Sequence, residues 1–121
     1  MTATQIRNIT FFVDDQDRAL AFYTGTLGLV VRTDRTTEDN RWLEVGPGDG
    51  GTAIVLHRAF PGSAAGTTSG VIIESTDLDA DADAVRAAGG TVDGPTDMPW
   101  GRQAVVADPD GNSFVLTAAQ H

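Results

Sequence analysis

The sequence contains no cysteine and no lysine, and it has no long apolar run. Without cysteine there is no disulfide, no thiolate nucleophile and no zinc–thiolate centre. Without lysine there is neither Schiff-base catalysis nor a phosphate-loop lysine. No apolar stretch approaches the roughly 18 residues of a membrane span, and the first residues do not resemble a signal peptide. We therefore expect a cytoplasmic protein without a membrane partner.

Positive charge is scarce as well. The 8 basic residues are all arginine and face 17 acidic ones, which gives a formal net charge of −9. The arginines are scattered along the chain, whereas binding to a phosphate backbone needs clustered cations. The sequence therefore argues against a nucleic-acid partner. Its 121 residues suit one compact domain.

The spacing of apolar residues predicts the same order of strands and helix twice along the chain. A strand, a helix from Gln16 to about Thr26 and three further strands are followed by a small-residue linker and then by a second strand–helix–strands series. The pattern predicts an α+β fold of two tandem βαβββ modules, whose antiparallel sheets curve around a shared concave cleft. The single domain spans 1–121, with repeat 1 at about 5–58, the linker at about 59–69 and repeat 2 at about 70–119. The predicted strands are Ile6–Val13, Leu29–Arg35, Arg41–Val45, Ala53–Arg58, Val71–Thr76, Thr91–Val92, Gln103–Ala107 and Asn112–Ala118, and the second helix begins at Asp77.

The alignment of the two repeats contains one conflict. Matching the helix entry at Asp14 to that at Asp77 pairs Asn8 with Val71. This pairing places Glu74 on the helix-covered face, where a carboxylate is costly. A bulge, an edge position or a one-residue shift would each resolve the conflict.

Several motifs that could indicate a catalytic or ligand-binding site are better explained by turns and exposed faces. The run Asp108-Pro109-Asp110-Gly111-Asn112 is a tight turn, and its two aspartates have turn roles rather than acid–base roles. The glycine-rich stretch at 46–51 lacks the lysine and the helix of a phosphate loop. No nucleophile elbow surrounds Ser75 or Ser113. The alternating aspartates Asp79, Asp81 and Asp83 lack the glycine and glutamate of a calcium loop and are interpreted as a solvated face.

The chain resembles the vicinal oxygen chelate superfamily, which includes glyoxalase I, bleomycin-resistance proteins and extradiol dioxygenases. The resemblance is carried by Phe22-Tyr23 with Leu27-Gly28-Leu29, by the restart near Gly70, and by the turn at 108–112. It implies a homodimer and places the family's metal-ligand positions on Asn8, Val55, Val71 and Val115. None of these is a histidine, glutamate or aspartate, so we expect no metal and no cofactor. This departure favours the bleomycin-resistance branch, with its role in antibiotic resistance.

If the positions taken from the family pattern face into the cleft, its lining is mostly apolar with a few polar groups, as in most small-molecule sites. Trp100 is expected to cover its mouth, and Trp42 either stacks on a ligand or packs in the core or a dimer. Arg102 either pairs with an anionic ligand or lies on the surface near Asp97. The predicted ligand-binding residues are Asn8, Thr10, Phe12, Trp42, Val55, His57, Val71, Ile73, Ser75, Trp100, Arg102, Ser113 and Val115.

These observations predict a metal-independent small-molecule-binding protein that resembles bleomycin-resistance proteins and sequesters an aromatic or polycyclic ligand. One alternative is a glyoxalase-like lyase, isomerase or epimerase with His57 and Glu44 as catalytic candidates. That enzyme could use a divalent metal at a non-standard site to which Glu74 would add a carboxylate, whereas His121 at the chain end is discounted. A second alternative is a structural or regulatory dimer.

Overall fold

The structure, a computed structural model, describes residues 2–119. Two modules follow one another, as the repeat predicts, and each has a four-stranded sheet covered on one side by helix. The first module comprises β1 (Asn8–Val13), α1 (Gln16–Leu20) with a π-helical continuation (Ala21–Thr26), β2 (Val30–Thr37), β3 (Asn40–Gly46) and β4 (Ala53–Arg58). The second comprises β5 (Val71–Ser75), α2 (Leu78–Ala87), β6 (Thr91–Met98), β7 (Gly101–Ala107) and β8 (Ser113–Ala118). The α+β fold and its tandem modules are thus confirmed.

The sheets are mixed rather than antiparallel. Their strand orders are β1-β4-β3-β2 and β5-β8-β7-β6, and the first strand of each module runs parallel to its neighbour. The reason is the helix that follows each first strand, because it returns the chain to the starting end before the three-strand meander begins. The first and fifth strands consequently lie at sheet edges.

Strand β6 is longer than the predicted Thr91–Val92 and continues to Met98. The dipeptide Gly94-Pro95 made the strand seem to end, since proline cannot donate to a ladder. In the structure this dipeptide lies at a register shift between Asp93 and Thr96, on a strand at the sheet edge, where proline is tolerated.

Both helices and the covered faces of both sheets share one hydrophobic core. Phe11 of β1 stacks on Phe114 of β8 with ring centroids 6.3 Å apart, and Tyr23 contacts both rings. Asp15 caps α1 and Asp77 caps α2, each by accepting a hydrogen bond from a backbone N–H of the first turn. No helix within residues 2–119 is long and apolar enough to cross a membrane.

The 108–112 turn fastens one module to the other. The buried Asn112 amide donates to the carbonyl of Phe12 at 2.9 Å and accepts from the backbone N–H of Thr68 at 3.1 Å. The Asp110 carboxylate accepts from the backbone N–H of Asp14 and from Arg18. The two aspartates of this turn therefore have structural partners, as their turn roles predict.

Candidate functional site

The open face of the first sheet, opposite α1, brings together the predicted site residues of the first module. Cross-strand pairing sets Thr10 beside Val55 and Phe12 beside His57. It also sets Glu44 beside Val55, so Glu44 and His57 lie on the same face of the sheet. The sequence alone could not establish this, because it does not fix the register between β3 and β4. The residues on this face are Asn8, Thr10, Phe12, Trp42, Glu44, Val55 and His57.

Four rings form a continuous row across this face. Phe12 meets Phe60 edge-on with centroids 5.7 Å apart, Phe60 lies 4.7 Å from the ring of His57, and His57 lies 5.9 Å from Trp42. Phe60 remains 53% exposed and Trp42 38% exposed, whereas His57 is buried between them. We call these four residues the aromatic row. Its two exposed rings offer π faces and edges to a further aromatic group.

Both ring nitrogens of His57 have partners inside the chain. Nδ1 lies 2.7 Å from the carbonyl oxygen of Arg58, which can only accept, so Nδ1 carries a proton. Nε2 lies 2.8 Å from the side-chain amide of Asn40. A general base needs a nitrogen within reach of the substrate, and here both are engaged. Both nitrogens of His57 are therefore engaged within the chain and its ring lies in the aromatic row, while its role as a catalytic candidate stays a prediction.

The other end of the open face is polar. Asn8 Nδ2 donates to Glu44 Oε1 at 3.2 Å, and Glu44 lies about 7 Å along β3 from Trp42, two residues at the usual rise. A cavity of about 270 Å³ lies here, walled by Glu44, Arg7 and Arg32 among others. Arg32 is held by the carbonyls of Gly51 and Pro47. The face thus combines an aromatic end with a hydrogen-bonding end.

In the second module, three predicted site residues lie on the helix-covered face of the sheet and not on its open face. Val71 and Ile73 pack against the core and Ser75 is buried, with its hydroxyl donating to Asp81 of α2. Ile72, 68% exposed, and Glu74 take the open side. The error came from the helix cap, because Asp15 and not Asp14 is the counterpart of Asp77. Asn8 precedes the cap Asp15 by seven residues and Gly70 precedes the cap Asp77 by seven, so Asn8 pairs with Gly70 and not with Val71. This one-residue shift moves Glu74 from the helix-covered face to the open face.

The remaining predicted residues divide between two surfaces. Ser113 and Val115 alternate with the buried Phe114 and Leu116 and so lie on the open side of the second sheet. Trp100, 62% exposed, is in the β6–β7 turn and donates to Gln103 at 2.9 Å. The prediction that Arg102 lines the cleft is wrong, since its guanidinium pairs with Asp97 and with Asp79 of α2, on the helix-covered side of the sheet. A cleft shared by the two open faces stays a prediction.

The donor chemistry at the family's metal positions does not fit a divalent ion. After the one-residue correction these positions are Asn8, Val55, Gly70 and Val115, which offer one neutral amide oxygen among their side chains. Zinc, nickel and iron sites require imidazole, carboxylate or thiolate. Over the described part of the chain, no three His, Cys, Asp or Glu side chains come together as a ligand set.

Tyr23 and Asp108 form a buried pair, with the Tyr23 ring in the core against Phe11 and Phe114. The Tyr23 hydroxyl donates to Asp108 Oδ2 at 2.7 Å, and Asp108 Oδ1 accepts from the backbone N–H groups of residues 110, 111 and 112. Burial, and then the Asp108 carboxylate, raise the pKa of Tyr23 far above its ordinary value. The Tyr23 phenol therefore keeps its proton and, with the backbone N–H groups, holds Asp108 in the turn.

Sequence reasoning missed two residues of the site. Phe60 was included in a linker of small residues and Asn40 fell just before the predicted strand Arg41–Val45, yet they contact Phe12 and His57 respectively. One signal for Phe60 was available, because it is the only aromatic residue between 59 and 69 and follows His57 by three positions. The signal for Asn40 was strand alternation, because it lies two positions before Trp42 and so shares the face of Trp42 once β3 is extended to include it.

Comparisons with known proteins agree with this geometry. Residues 5–116 match the family model described as the glyoxalase/bleomycin resistance protein/dioxygenase superfamily. TnmS3, an antibiotic-binding protein from Streptomyces sp. CB03234, is 36% identical in sequence, with a TM-score of 0.87 over 99% of each chain. A member of that superfamily from Sphaerobacter thermophilus DSM 20745 is 30% identical, with a TM-score of 0.85 over 98% of this chain and 100% of its own. The Bacillus subtilis protein YetH is 28% identical over 93% of this chain and 96% of its own.

Proposed function

Since the chain belongs to the glyoxalase/bleomycin resistance protein/dioxygenase superfamily, we propose that it is a metal-independent binding protein that sequesters an aromatic or polycyclic small molecule. The observation that carries the proposal is the aromatic row, with Trp42 and Phe60 exposed on a sheet face that also holds the Asn8–Glu44 pair. Similarity to the antibiotic-binding TnmS3 supports a small-molecule ligand.

The site is suited to binding rather than to turnover. Rings fixed by their neighbours supply contact area at little cost in conformational entropy, and stacking is worth about 0.5–1.5 kcal/mol per ring pair beyond area burial. The imidazole that a lyase or isomerase would use is engaged at both nitrogens. A homodimer acting in the cytoplasm is part of the proposal and rests on the family resemblance and on the composition.

The test is a tryptophan-fluorescence titration against a panel of aromatic natural products, with Trp42→Leu and Trp100→Leu as paired variants. The chain has 2 tryptophans, so each variant isolates the signal of the other. We expect saturable quenching in the wild type and in Trp100→Leu. Calorimetric titration of Trp42→Leu, which lacks the reporting ring, should show a loss of at least about tenfold in affinity, equal to about 1.4 kcal/mol. A flat response of the wild type across the panel would instead favour a structural or regulatory dimer.

A further inference from the structure

The cavity at the polar end of the open face lies beside the aromatic row. Glu44 belongs to both regions, because it walls the cavity and lies two residues from Trp42 on β3. The two side chains are on the same face of the sheet, about 7 Å apart along the strand. The cavity is therefore within reach of a group attached to an aromatic ring that contacts Trp42.

Arg32 is fixed over the sheet at the edge of this cavity. A register shift in β2 leaves it without a cross-strand partner, and such bulges redirect side chains. Its guanidinium lies on Gly46, where an added Cβ would be only 2.8 Å from Cζ. Two backbone carbonyls of the β3–β4 loop accept hydrogen bonds from it. Other N–H groups of the same guanidinium remain for a further acceptor.

The charged groups around the cavity do not neutralise one another. Glu44 accepts from Asn8 through Oε1, while its Oε2 has no hydrogen-bond partner among residues 2–119. Arg7 is exposed and makes no hydrogen bond within that range. In the described part of the chain, no ion pair joins Glu44 to Arg7 or to Arg32. The cavity therefore offers hydrogen-bond donors and an acceptor at the same time.

This combination disfavours a charged group in the cavity. A carboxylate or phosphate would attract the two arginines but would be repelled by Glu44 and by the net charge of −9. An ammonium group would attract Glu44 but would be repelled by Arg7 and Arg32. A neutral group with several hydroxyls suits both kinds of partner, because each hydroxyl donates one hydrogen bond and accepts others.

The size of the cavity sets a second limit. Its 270 Å³ equal the liquid volume of about nine water molecules. This volume suits one hydroxylated ring and is too small for a polycyclic aromatic system. The aromatic part of a ligand therefore belongs on the aromatic row and a smaller polar part in the cavity.

We propose that the ligand is an aromatic compound that carries a neutral polyhydroxylated ring, a sugar or a cyclic polyol, and that the cavity binds this ring. Glu44 accepts hydrogen bonds from its hydroxyls, and Arg7 and Arg32 donate to them. The aromatic part contacts Trp42 and Phe60. The inference rests on the proposed function, because it takes the aromatic row as the other part of the same site.

Calorimetric titration with compounds that share one naphthalene ring tests the inference. The compounds are the naphthyl β-glucoside and β-galactoside, the neutral naphthyl ether of ethylene glycol, naphthyloxyacetate and naphthyloxyethylammonium. We expect the better glycoside to bind at least about tenfold more tightly than the glycol ether, since hydrogen bonds to charged side chains are strong. We expect neither ion to bind as tightly as that glycoside.

The other outcomes separate this inference from the proposed function. Tighter binding of the acetate or the ammonium compound would show that the cavity selects a charge and would overturn the inference. Equal affinities for the glycosides and the glycol ether, each lowered by Trp42→Leu, would exclude the cavity from a site whose aromatic part is intact. Absence of binding by every compound would overturn the aromatic site, and the inference with it.

Variants of the cavity walls provide a second readout. Arg7→Met and Glu44→Gln should each lower the affinity for the better glycoside at least about fivefold and leave that for the glycol ether within about twofold. Arg7 has no protein partner among residues 2–119 to lose, and a glutamine keeps an amide oxygen for Asn8, so both variants should fold. Loss of affinity for the glycol ether to the same extent would contradict a role limited to the hydroxylated ring.

The exposed pair Arg86 and Asp83 on α2 supplies matched controls. Arg86→Met and Asp83→Asn make the same changes in net charge far from the cavity, and they should leave the affinity for the glycoside within about twofold. A loss in these controls as large as in the cavity variants would assign the effect to the long-range field and overturn the inference.

Discussion

Trp42 and Phe60 differ from the aromatic residues of the core in what surrounds them. Phe11, Tyr23 and Phe114 pack against each other in the core and have no exposed area to offer. Trp42 and Phe60 are held by His57 from one side and open to solvent on the other. Half-buried rings of this kind are preorganised, so binding costs little additional ordering.

Substitution of Phe60 separates ligand binding from stability. Phe60→Ala removes a ring that is largely exposed, so the free energy of unfolding should fall by less than about 1 kcal/mol. The affinity for an aromatic ligand should fall by about threefold to tenfold, the value of one stacked ring. Calorimetric titration together with denaturant unfolding measures both quantities. A large loss of stability without a loss of affinity would place Phe60 in the core instead of the site.

Tyr23 gives a pH prediction at the residue scale. Its pKa is raised in the folded state, so the native protein retains the phenolic proton at pH values where the unfolded chain loses it. Its contribution to stability is full below about pH 10, the pKa of an unperturbed tyrosine, and is lost as the pH rises above that value. Because this is the only tyrosine, the ultraviolet absorbance of tyrosinate reports it alone.

We expect the tyrosinate signal to appear together with alkaline unfolding, followed by circular dichroism, and not before it. Tyr23→Phe provides the control: it should remove the absorbance change and cost about 1–3 kcal/mol, since Asp108 loses a buried donor. An absorbance titration near pH 10 in a protein that is still folded would contradict the burial of this hydroxyl.

At the scale of elements, the order of strands and helices could be predicted from periodicity, whereas the register of β5 could not. Two adjacent aspartates precede α1, and either could serve as the cap. Only the observed hydrogen bond from Arg18 N–H to Asp15 identifies it. A choice wrong by one residue turns a whole strand over, so Val71, Ile73 and Ser75 were placed on the open face. Glu74 was the sign of this error in the sequence, because burying a carboxylate on the helix-covered face of a sheet is costly.

Two neighbouring isoleucines test this register. Ile73→Asp places a charge against the core and should destabilise the fold by roughly 2 kcal/mol or more, whereas Ile72→Asp changes an exposed side chain and should cost less than about 1 kcal/mol. The residue type is the same in both variants, so the comparison isolates the face. Equal losses in urea unfolding, or a larger loss for Ile72→Asp, would contradict the register.

For the whole molecule, the family and its fold could be inferred from a turn, a repeat and a few glycines, but the site depended on contacts between distant parts of the chain. The aromatic row joins β1, β3, β4 and the linker. The same repeat that reveals the fold also shows where the modules diverge, since the turn at 108–112 has Asp110 and Asn112 and its counterpart at 48–52 has Gly50 and Thr52. The turn of the second module therefore holds the two modules together, and its counterpart in the first module lacks these side chains.

The net charge of −9 also acts at this scale. It disfavours anionic ligands and attracts cationic ones through long-range interactions that salt screens. Contact with the aromatic row does not depend on that field. Ligands of different charge should therefore differ in the salt dependence of their affinity while sharing the requirement for Trp42.

The most direct test of the central claim is a calorimetric titration of the tightest-binding panel compound into protein treated with a strong chelator, repeated after addition of Zn²⁺, Ni²⁺, Mn²⁺ or Fe²⁺ and removal of the excess. Metal-independent binding predicts stoichiometric saturation in the chelator-treated sample and an affinity that the added ions leave within about twofold. Binding that appears only after one of these ions is restored would contradict the account and assign the site to a metal centre.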